Sequence, residues 1–415
     1  MTAPSRGRLL LISENAPLPQ DRRVWNEARA LVGAGWEVTI VCAVTADRPQ
    51  PAMETLEGVE IHRYPLRPAE GALGYAREYG QALWRIRRLV RKLQRQRPFD
   101  VVHAASPPDF LLLAALAARR GGARLVFDHH DLTPELFRSR YGRAGLPYRV
   151  LLAIERRTMR AADVVISTND SYRRIAIERG GVAPEDVFVV RNGPDLERFR
   201  PVAADPDLRR GRRYLLAYLG MMGRQDGIDH ALRALASLRG LREDDWHAVF
   251  IGEGEVREEM EVLALELGLA EQVEFAGWRD DDDIRRILST ADVCLAPDPP
   301  SPLNDTSTMI KIPEYMAMGC AIASYDLAET RISAGPAAAY ARTPTPADLG
   351  ACVQELLEDP ALREEMAELG QERVIDLSWQ RSEAVLLDVY GRLAGDATSP
   401  LSRIESPTEP VRVPG

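Results

Sequence analysis

The chain has 415 residues, of which 45% are hydrophobic and 28% are charged, and its formal net charge is −9. This composition is typical of globular proteins and excludes a disordered or fibrous chain. One compact core does not accommodate this length, so we expect two domains of about 200 residues each. Residues 1–200 hold 32 basic and 23 acidic side chains, and the remainder holds 21 and 39. The two domains are therefore predicted to differ in the sign of their net charge.

The cysteines and the apolar runs indicate the cellular location of the protein. Neither a CxxC spacing nor a paired histidine accompanies the four cysteines, which are Cys42, Cys294, Cys320 and Cys352. We expect them to be reduced and buried, which favours a cytoplasmic location. The apolar run before Glu14 is too short for a signal peptide, and the run from Phe110 to Ala118 is too short to span a bilayer. No transmembrane segment is predicted.

The first half of the chain alternates short aliphatic runs with longer amphipathic stretches. Runs typical of strands lie at 9–13, 37–42, 101–104, 125–128, 164–168 and 187–190. Stretches typical of helices lie at 24–34, 81–94, 110–119, 153–161 and 172–179. Strands that alternate with helices predict a parallel sheet covered on both faces. We therefore predict an α/β domain over residues 1–195.

A second series of the same kind follows a segment rich in Pro, Asp and Arg at 196–213, which is predicted to be an interdomain linker. Predicted strands lie at 214–219, 247–251, 273–276, 293–296 and 321–324, with helices between them. This predicts a second α/β domain over 214–376, a final helix within 377–395 and a disordered polar tail over 396–415. Open α/β sheets bind ligands at the carboxyl ends of their strands, so we expect a site in a cleft between the domains.

The most informative segment runs from Asn304 to Gly319. Proline is tolerated in the first turn of a helix, so Pro313 fixes the helix start near Lys311. The amides ahead of this start, together with Lys311, are predicted to bind an anion. Glu314 lies about one turn further on, where a carboxylate can accept hydrogen bonds from the two hydroxyls of a ribose. Taken alone, Glu314 could equally be a first-turn glutamate that complements the helix dipole.

The run KIPEYMAMGCAIAS resembles the donor-binding helix of retaining glycosyltransferases of family 4. Glu314 takes the place of that family's second motif glutamate, and Thr306 takes the place of the first. Some members instead carry an Asn-Asp-x-Ser-Thr-x-x-Lys run like the one in this chain. The resemblance extends to the stretches DRRVWNEARALVGAGWEVTIVC, FDVVHAASPPD, VVRNGPDLERF, LGMMGRQDGIDHAL and HAVFIGEGEVREEMEVLALELGL.

This resemblance implies the GT-B fold, in which two Rossmann-like lobes enclose a central cleft and the final helix crosses back to the first lobe. The implied reaction moves a sugar from a nucleoside diphosphate, with UDP favoured, to an acceptor hydroxyl with retention. The first lobe would hold the acceptor and the second the donor. Cell-surface polysaccharide, glycoconjugate or natural-product biosynthesis is the expected setting. The alternatives are a nucleotide-sugar epimerase or hydrolase on the same fold and a non-catalytic nucleotide-sugar-binding protein.

The resemblance also assigns donor-binding residues. It places the diphosphate near the turn that contains Gly223, Arg224 and Gln225, where the family's lysine is replaced. The base and ribose are placed near the turn of Gly252 and Glu253, although such a turn alone is common in α/β proteins. The remaining expected donor contacts are Thr306, Ser307, Thr308, Lys311 and Glu314. No metal or other cofactor is expected.

Residues for the chemical step follow a predicted strand in the stretch FDHHDLTPELF. The adjacent His129 and His130 point apart, and no third ligand has zinc-like spacing, so no metal is predicted. The resemblance places the functional histidine of the family on His130, with Asp131 orienting it. His130 would bond the donor sugar or stabilise charge as the glycosidic bond breaks. A turn histidine satisfied by local backbone remains the alternative.

Acceptor contacts are expected from Asn15, Asp21 and Arg22 in the N-terminal loop and from His103 at a strand end. The stretch from Arg77 to Arg97 reads as a basic amphipathic helix that can lie on an anionic membrane surface. In that case the acceptor is lipid-linked and the enzyme peripheral at the inner membrane face; otherwise the acceptor is a sugar or small molecule. A solvated outer helix is the alternative. No nucleic-acid partner is expected, because no nucleic-acid-binding motif is present.

Overall fold

The structure is a computed structural model that describes residues 5–14, 18–44, 50–66, 71–142, 145–242 and 245–395; for residues 71–79 it describes the backbone alone. The predictions for Asn15 and for the tail 396–415 lie outside the described residues. One sheet of eight strands and one of six confirm the predicted fold of two α/β lobes.

The first lobe is built on the eight-stranded sheet. Its strands are β1 (Gly7–Ile12), β2 (Trp36–Val44), β3 (Met53–Leu56), β4 (Val59–Pro65), β5 (Val101–Ala105), β6 (Arg124–His129), β7 (Val164–Ser167) and β8 (Val187–Val189). They lie in the order β3-β4-β2-β1-β5-β6-β7-β8. All neighbours are parallel except β3, which pairs antiparallel with β4.

The hairpin of β3 and β4 is the part of this sheet that the sequence pattern did not predict. Residues of β3 alternate between exposed and half-buried positions, so no apolar run marks this edge strand. The two turn residues, Glu57 and Gly58, have φ values of 47° and 83°. Positive φ at both central positions is typical of the tight turn that joins two antiparallel strands.

Helices of the first lobe pack on both faces of this sheet. They are α1 (Arg22–Gly33), α2 (Gly71–Gln96), α3 (Leu111–Ala114), α4 (Leu116–Arg119), α5 (Thr133–Tyr141), α6 (Leu146–Ala161) and α7 (Asp170–Ile175). Helix α1 begins where the side chain of Asp21 accepts a hydrogen bond from the amide of Val24, at 3.3 Å. Its buried face includes Val24, Ala28 and Leu31, whose helical spacing directs them onto the sheet.

The second lobe repeats the arrangement around the six-stranded sheet. Its strands are β9 (Tyr214–Leu219), β10 (Trp246–Ile251), β11 (Val273–Gly277), β12 (Val293–Ala296), β13 (Ile322–Ser324) and β14 (Ala338–Tyr340), in the order β11-β10-β9-β12-β13-β14. All are parallel. Its helices are α8 (Ile228–Leu241), α9 (Arg257–Glu266), α10 (Asp281–Thr290), α11 (Lys311–Ala317), α12 (Ala328–Ser333), α13 (Pro346–Glu358) and α14 (Pro360–Leu377).

The last helix, α15 (Trp379–Leu393), returns to the first lobe. Its residues Leu386 and Tyr390 are buried in the same apolar cluster as Trp36, whose ring meets that of Tyr390 edge-on at 5.5 Å. The two chain segments that join the lobes touch each other, since a Cβ on Gly193 would lie 1.7 Å from the carbonyl oxygen of Leu377. Only glycine permits this contact.

Candidate active site

Three loops at the carboxyl ends of second-lobe strands meet on one surface. The loop after β9 joins the loop after β10, because the amide of Gly220 donates to Ile251 at 3.0 Å and that of Met222 donates to Glu253 at 2.9 Å. The loop after β10 in turn joins the end of β11, where the amide of Gly252 donates to Gly277 at 3.0 Å. This is the edge at which an open α/β sheet binds ligands.

Gly252 allows this close approach. A Cβ at Gly252 would lie 1.9 Å from the carbonyl oxygen of Gly220, and its φ of 133° is a conformation that other residues rarely adopt. The next residue, Glu253, pairs its carboxylate with Arg257. In this conformation Gly252 therefore shapes the loops, and the side chain of Glu253 is engaged within its own lobe.

The turn expected to bind the diphosphate is held together by its own groups. The side chain of Asp226 accepts from the amide of Gly223 at 2.8 Å and from the side chain of Gln225 at 3.2 Å. Buried Asn304 donates to the carbonyl of Gln225 at 2.9 Å. Arg224 lies at the surface and pairs with Glu259 at 2.9 Å. The guanidinium of Arg224 thus faces outward, and not towards the other residues of the turn.

Lys311 lies beneath this turn in a buried ion pair. Its Nζ is 2.6 Å from Asp298, which follows β12, and 5.2 Å from the ring centre of Tyr218. Burial alone would lower the pKa of Lys311, but the charges of Asp298 and its other neighbours raise it above the ordinary value. Burial raises the pKa of the nearby Asp226 carboxyl to about 6. Lys311 therefore carries a permanent positive charge that is already paired.

Helix α11 begins at Lys311, as Pro313 predicts. Within the part of the chain that the structure describes, the amides of Thr308, Met309, Ile310 and Lys311 donate to no protein acceptor. These amides and the charge of Lys311 together make the positive end of this segment.

The three hydroxyl residues of the motif bond with protein groups. Thr306 donates to the carbonyl of Pro302 at 2.9 Å. The hydroxyl of Ser307 lies 2.9 Å from that of Tyr172 in the first lobe. Thr308 donates to Glu329 at 3.2 Å and accepts from Asn169 of the first lobe at 3.0 Å. In this conformation the loop joins the lobes, and its expected contacts with a donor stay a prediction.

Glu314 meets a residue from the opposite lobe. Its side chain is 11% exposed, and one oxygen lies 3.7 Å from the guanidinium of Arg22. Arg22 also contacts Asp281 at 2.9 Å. Burial raises the pKa of Glu314 to about 7, although Arg22 opposes this shift. Arg22, expected on the acceptor side, therefore crosses the cleft to the carboxylate predicted to bind ribose.

Two other expected acceptor contacts have partners in the protein. Besides capping α1, Asp21 accepts a hydrogen bond from Ser13 at 3.3 Å. His103 is fully buried and its Nδ1 lies 2.7 Å from the hydroxyl of Tyr390. In this conformation the side chain of His103 has no exposed surface, and its expected contact with the acceptor stays a prediction.

His130 and Asp131 follow β6, as predicted, and both backbone amides donate to the hydroxyl of Ser106, at 3.1 and 3.2 Å. The expected orienting partner was Asp131, but the structure shows Asp128, whose Oδ2 lies 2.9 Å from Nδ1 of His130. Burial lowers the pKa of His130, yet the charge of Asp128 outweighs it and the pKa rises to about 9. Burial also raises the pKa of Asp131.

A buried charged cluster behind His130 was missed by the sequence reasoning. Arg23 donates to both oxygens of Asp128, at 2.8 and 2.7 Å, and lies 3.2 Å from Glu27. Glu27, His103 and Asp128 lie close together, since one carboxylate oxygen or ring nitrogen of each is within 4.8 Å of those of the other two. Arg23 supplies positive charge among them. The one available signal was the spacing of Asp128 and His130, since residues two apart on a strand share a face.

The sequence patterns also gave no indication of Trp278 as a candidate binding residue. It directly follows β11, beside the loop of Gly252, and is 60% exposed. An exposed aromatic ring at the ligand-binding edge of a sheet provides a flat apolar surface.

Comparison with known proteins agrees with this architecture. Residues 20–193 match the family model described as "Glycosyl transferase 4-like domain", and residues 213–359 match "Glycosyl transferases group 1". The D-inositol 3-phosphate glycosyltransferase 1 of Catenulispora acidiphila is 26% identical over 383 residues, which cover 88% of each chain.

Two solved structures share the fold. Sucrose-phosphate synthase from Thermosynechococcus elongatus superposes with a TM-score of 0.77 at 20% identity, covering 94% of this chain and 99% of that one. HepE from Anabaena, in complex with UDP and glucose, has a TM-score of 0.68 at 15% identity, and the match covers 94% of this chain and 98% of that one.

Fold and matches together define a glycosyltransferase of the GT-B class. The chain belongs to glycosyltransferase family 4. None of the described helices is long and apolar enough to cross a membrane.

Proposed function

We propose that this enzyme transfers a sugar from a nucleoside diphosphate, with UDP favoured, to an acceptor hydroxyl with retention at the anomeric carbon. The observation that carries the proposal is the buried carboxyl of Glu314, placed on the first turn of α11. It lies next to Lys311 and to four amides that have no acceptor among the described residues. Such a turn offers donors for a diphosphate and an acceptor for ribose hydroxyls. A fold neighbour that contains UDP and glucose supports the choice of nucleotide.

In this proposal the diphosphate binds at the amides of residues 308–311 and at Lys311. The ribose hydroxyls donate to Glu314, which displaces the weak contact of Arg22, and the base stacks on Trp278. The imidazolium of His130 stabilises charge on the departing diphosphate from the first lobe. Fixed protein charges do this work, so the reaction needs no metal or other cofactor.

Titration of UDP by calorimetry tests the donor site. Glu314→Ala is expected to weaken UDP binding about 10–100-fold, because hydrogen bonds to a charged group are worth about 1.5–3 kcal/mol. Glu314→Gln keeps one acceptor oxygen and should lose less. Glu258→Gln, an exposed first-turn glutamate on α9, is the matched control and should bind as the wild type does. Equal affinity of Glu314→Ala and wild type would refute the assignment.

A panel of nucleotide-sugars, assayed by mass spectrometry with a chelator present, tests the reaction itself. Product that forms only with an acceptor supports transfer. Epimerised donor, or free sugar at the same rate without an acceptor, would support the epimerase or hydrolase. Tight binding without any turnover would support a binding protein.

Helix α2 gives the enzyme a surface that suits anionic lipid. Its buried stripe consists of Ala82, Ile86, Val90 and Leu93. The exposed basic side chains are Arg87, Arg88, Arg91, Lys92 and Arg95. Trp84 is 60% exposed, and the guanidinium of Arg88 lies 5.6 Å from its ring centre. We infer that this face rests on an anionic membrane and that the acceptor is lipid-linked.

Sedimentation with lipid vesicles tests this surface. The wild type is expected to bind anionic vesicles at low salt, to bind neutral vesicles weakly, and to be released by salt, because the attraction is electrostatic. A triple change of Arg87, Arg91 and Arg95 to Gln should abolish binding. The same change of Arg149, Arg156 and Arg157, which are exposed on α6, is the matched control. Equal binding by both triple variants would contradict the inference.

A further inference from the structure

Asp128 lies on β6, one position before its last residue, and is fully buried. Its Oδ1 accepts from Arg23, and its Oδ2 accepts from both Arg23 and His130. Arg23 is itself fixed, since it also donates to the carbonyl of Val190 at 2.9 Å and is 3% exposed. The carboxylate of Asp128 therefore has little freedom to move.

His130 is held at two points. Its backbone amide is bonded to Ser106, and its Nδ1 is bonded to Asp128. Among the described residues, no protein group hydrogen-bonds with Nε2, and the side chain is 11% exposed. The ring is thus fixed with one nitrogen left for a ligand, and Nδ1 is the nitrogen whose proton the carboxylate accepts.

The network continues to the far end of the chain. His103 lies 3.5 Å from Glu27 and 3.9 Å from Asp128, and its other nitrogen bonds to Tyr390 on α15. Helix α15 therefore closes the buried side of the cluster. Side chains from β5, β6, α1 and α15 thus form the buried network that holds the ring of His130 in place.

From this geometry we propose that Asp128, anchored by Arg23, is the positioning residue that fixes the ring of His130 and leaves Nε2 for the reacting donor. The inference rests on the proposed glycosyl transfer for its catalytic meaning. The positioning itself is a property of the free enzyme.

The charges around His130 agree with this role. Burial and Arg23 oppose protonation of the ring, but Asp128 and Asp131 favour it, and the pKa of His130 is raised to about 9. Burial would raise the pKa of Asp128, but Arg23 and His130 hold it well below its usual range. Burial and the neighbouring Asp128 raise the pKa of Glu27 to about 7. Asp128 is thus the group that keeps a negative charge beside the ring.

Titration of histidine signals by NMR tests the positioning without any turnover. The chain has six histidines, and the signal lost in His130→Gln identifies His130. In wild type His130 should titrate near 9, and in Asp128→Asn its pKa should fall towards or below the ordinary value of about 6.5. A wild-type value near 6.5 would overturn the inference, even if Asp128→Asn does not fold.

Kinetics supply the second readout. Asp128→Asn is expected to lower kcat about 10–100-fold and UDP affinity by a smaller factor, because the proposed contacts with ribose and most of those with the diphosphate lie on the other lobe. The double variant Asp128→Asn/His130→Gln should be no slower than His130→Gln alone, since the two residues act as one unit. Additive losses, or a loss of UDP affinity equal to the loss of rate, would overturn the inference. If no donor is turned over, the proposed function fails while the NMR titration still decides the positioning.

Discussion

Replacement of His130 with alanine is expected to lower kcat about 10²–10³-fold and to weaken UDP binding by a smaller factor, since UDP carries the departing diphosphate. A fixed charged donor that acts on the departing group is worth this much in other enzymes. Its pKa of about 9 means that the ring is cationic at neutral pH, so it can offset charge on the leaving diphosphate. The wild-type kcat should accordingly fall as pH rises through about 9.

The measurement is the pH profile of kcat with saturating donor and acceptor, together with calorimetry of UDP. His62→Gln is the matched control, because His62 lies on β4 and pairs with Glu60 away from the cleft. Unchanged kcat in His130→Ala, or a wild-type profile without a fall near 9, would exclude a catalytic role. The same raised pKa implies that the stabilising effect of His130 is complete below about 6.5 and is lost as pH rises through about 9.

Replacement of Lys311 with methionine should affect both stability and donor binding. Removal of one partner from a buried ion pair leaves the other charge uncompensated, which costs about 3–5 kcal/mol. Here the remaining group is Asp298, which is 1% exposed and has a second oxygen without a partner. Denaturant unfolding should show this loss, and calorimetry should show no UDP binding by the folded fraction.

The double variant Lys311→Met/Asp298→Leu separates the two effects. Without the unpaired carboxylate it should recover most of the stability, because replacing a buried ion pair by apolar groups is often neutral. It should still fail to bind UDP, since the positive charge is missing. Wild-type affinity in the double variant would show that Lys311 has a structural role alone. A single variant as stable as wild type would contradict the expected cost of breaking the ion pair.

Predictions made from local features of the sequence were confirmed, because short-range rules govern those features. Pro313 is compatible only with the start of a helix, and α11 does begin at Lys311. The alternation of strands and helices predicted both sheets, apart from the β3–β4 edge of the first and the short edge strand β14 of the second. No apolar run marks β3.

The contacts that hold the active-site side chains in place could not be derived from such short-range rules. Arg22 and Arg23 are adjacent and chemically identical, yet Arg23 is buried against Asp128 while Arg22 reaches across the cleft to Glu314. Neighbouring residues on a helix point about 100° apart, so which of the two enters the core depends on how α1 packs. The pattern of a single stretch contains no information on that packing.

The sequence by itself determined the two α/β lobes, the helix start at Lys311 and the position of His130 at a strand end. These follow from periodicity and from the backbone limits of proline. Tertiary structure alone decided that Asp128 orients His130, that Lys311 is paired with Asp298, and that His103 meets Tyr390, 287 residues later, in a buried network. Charge pairs of this kind form between distant segments, because burial removes water and leaves only other protein groups to satisfy them.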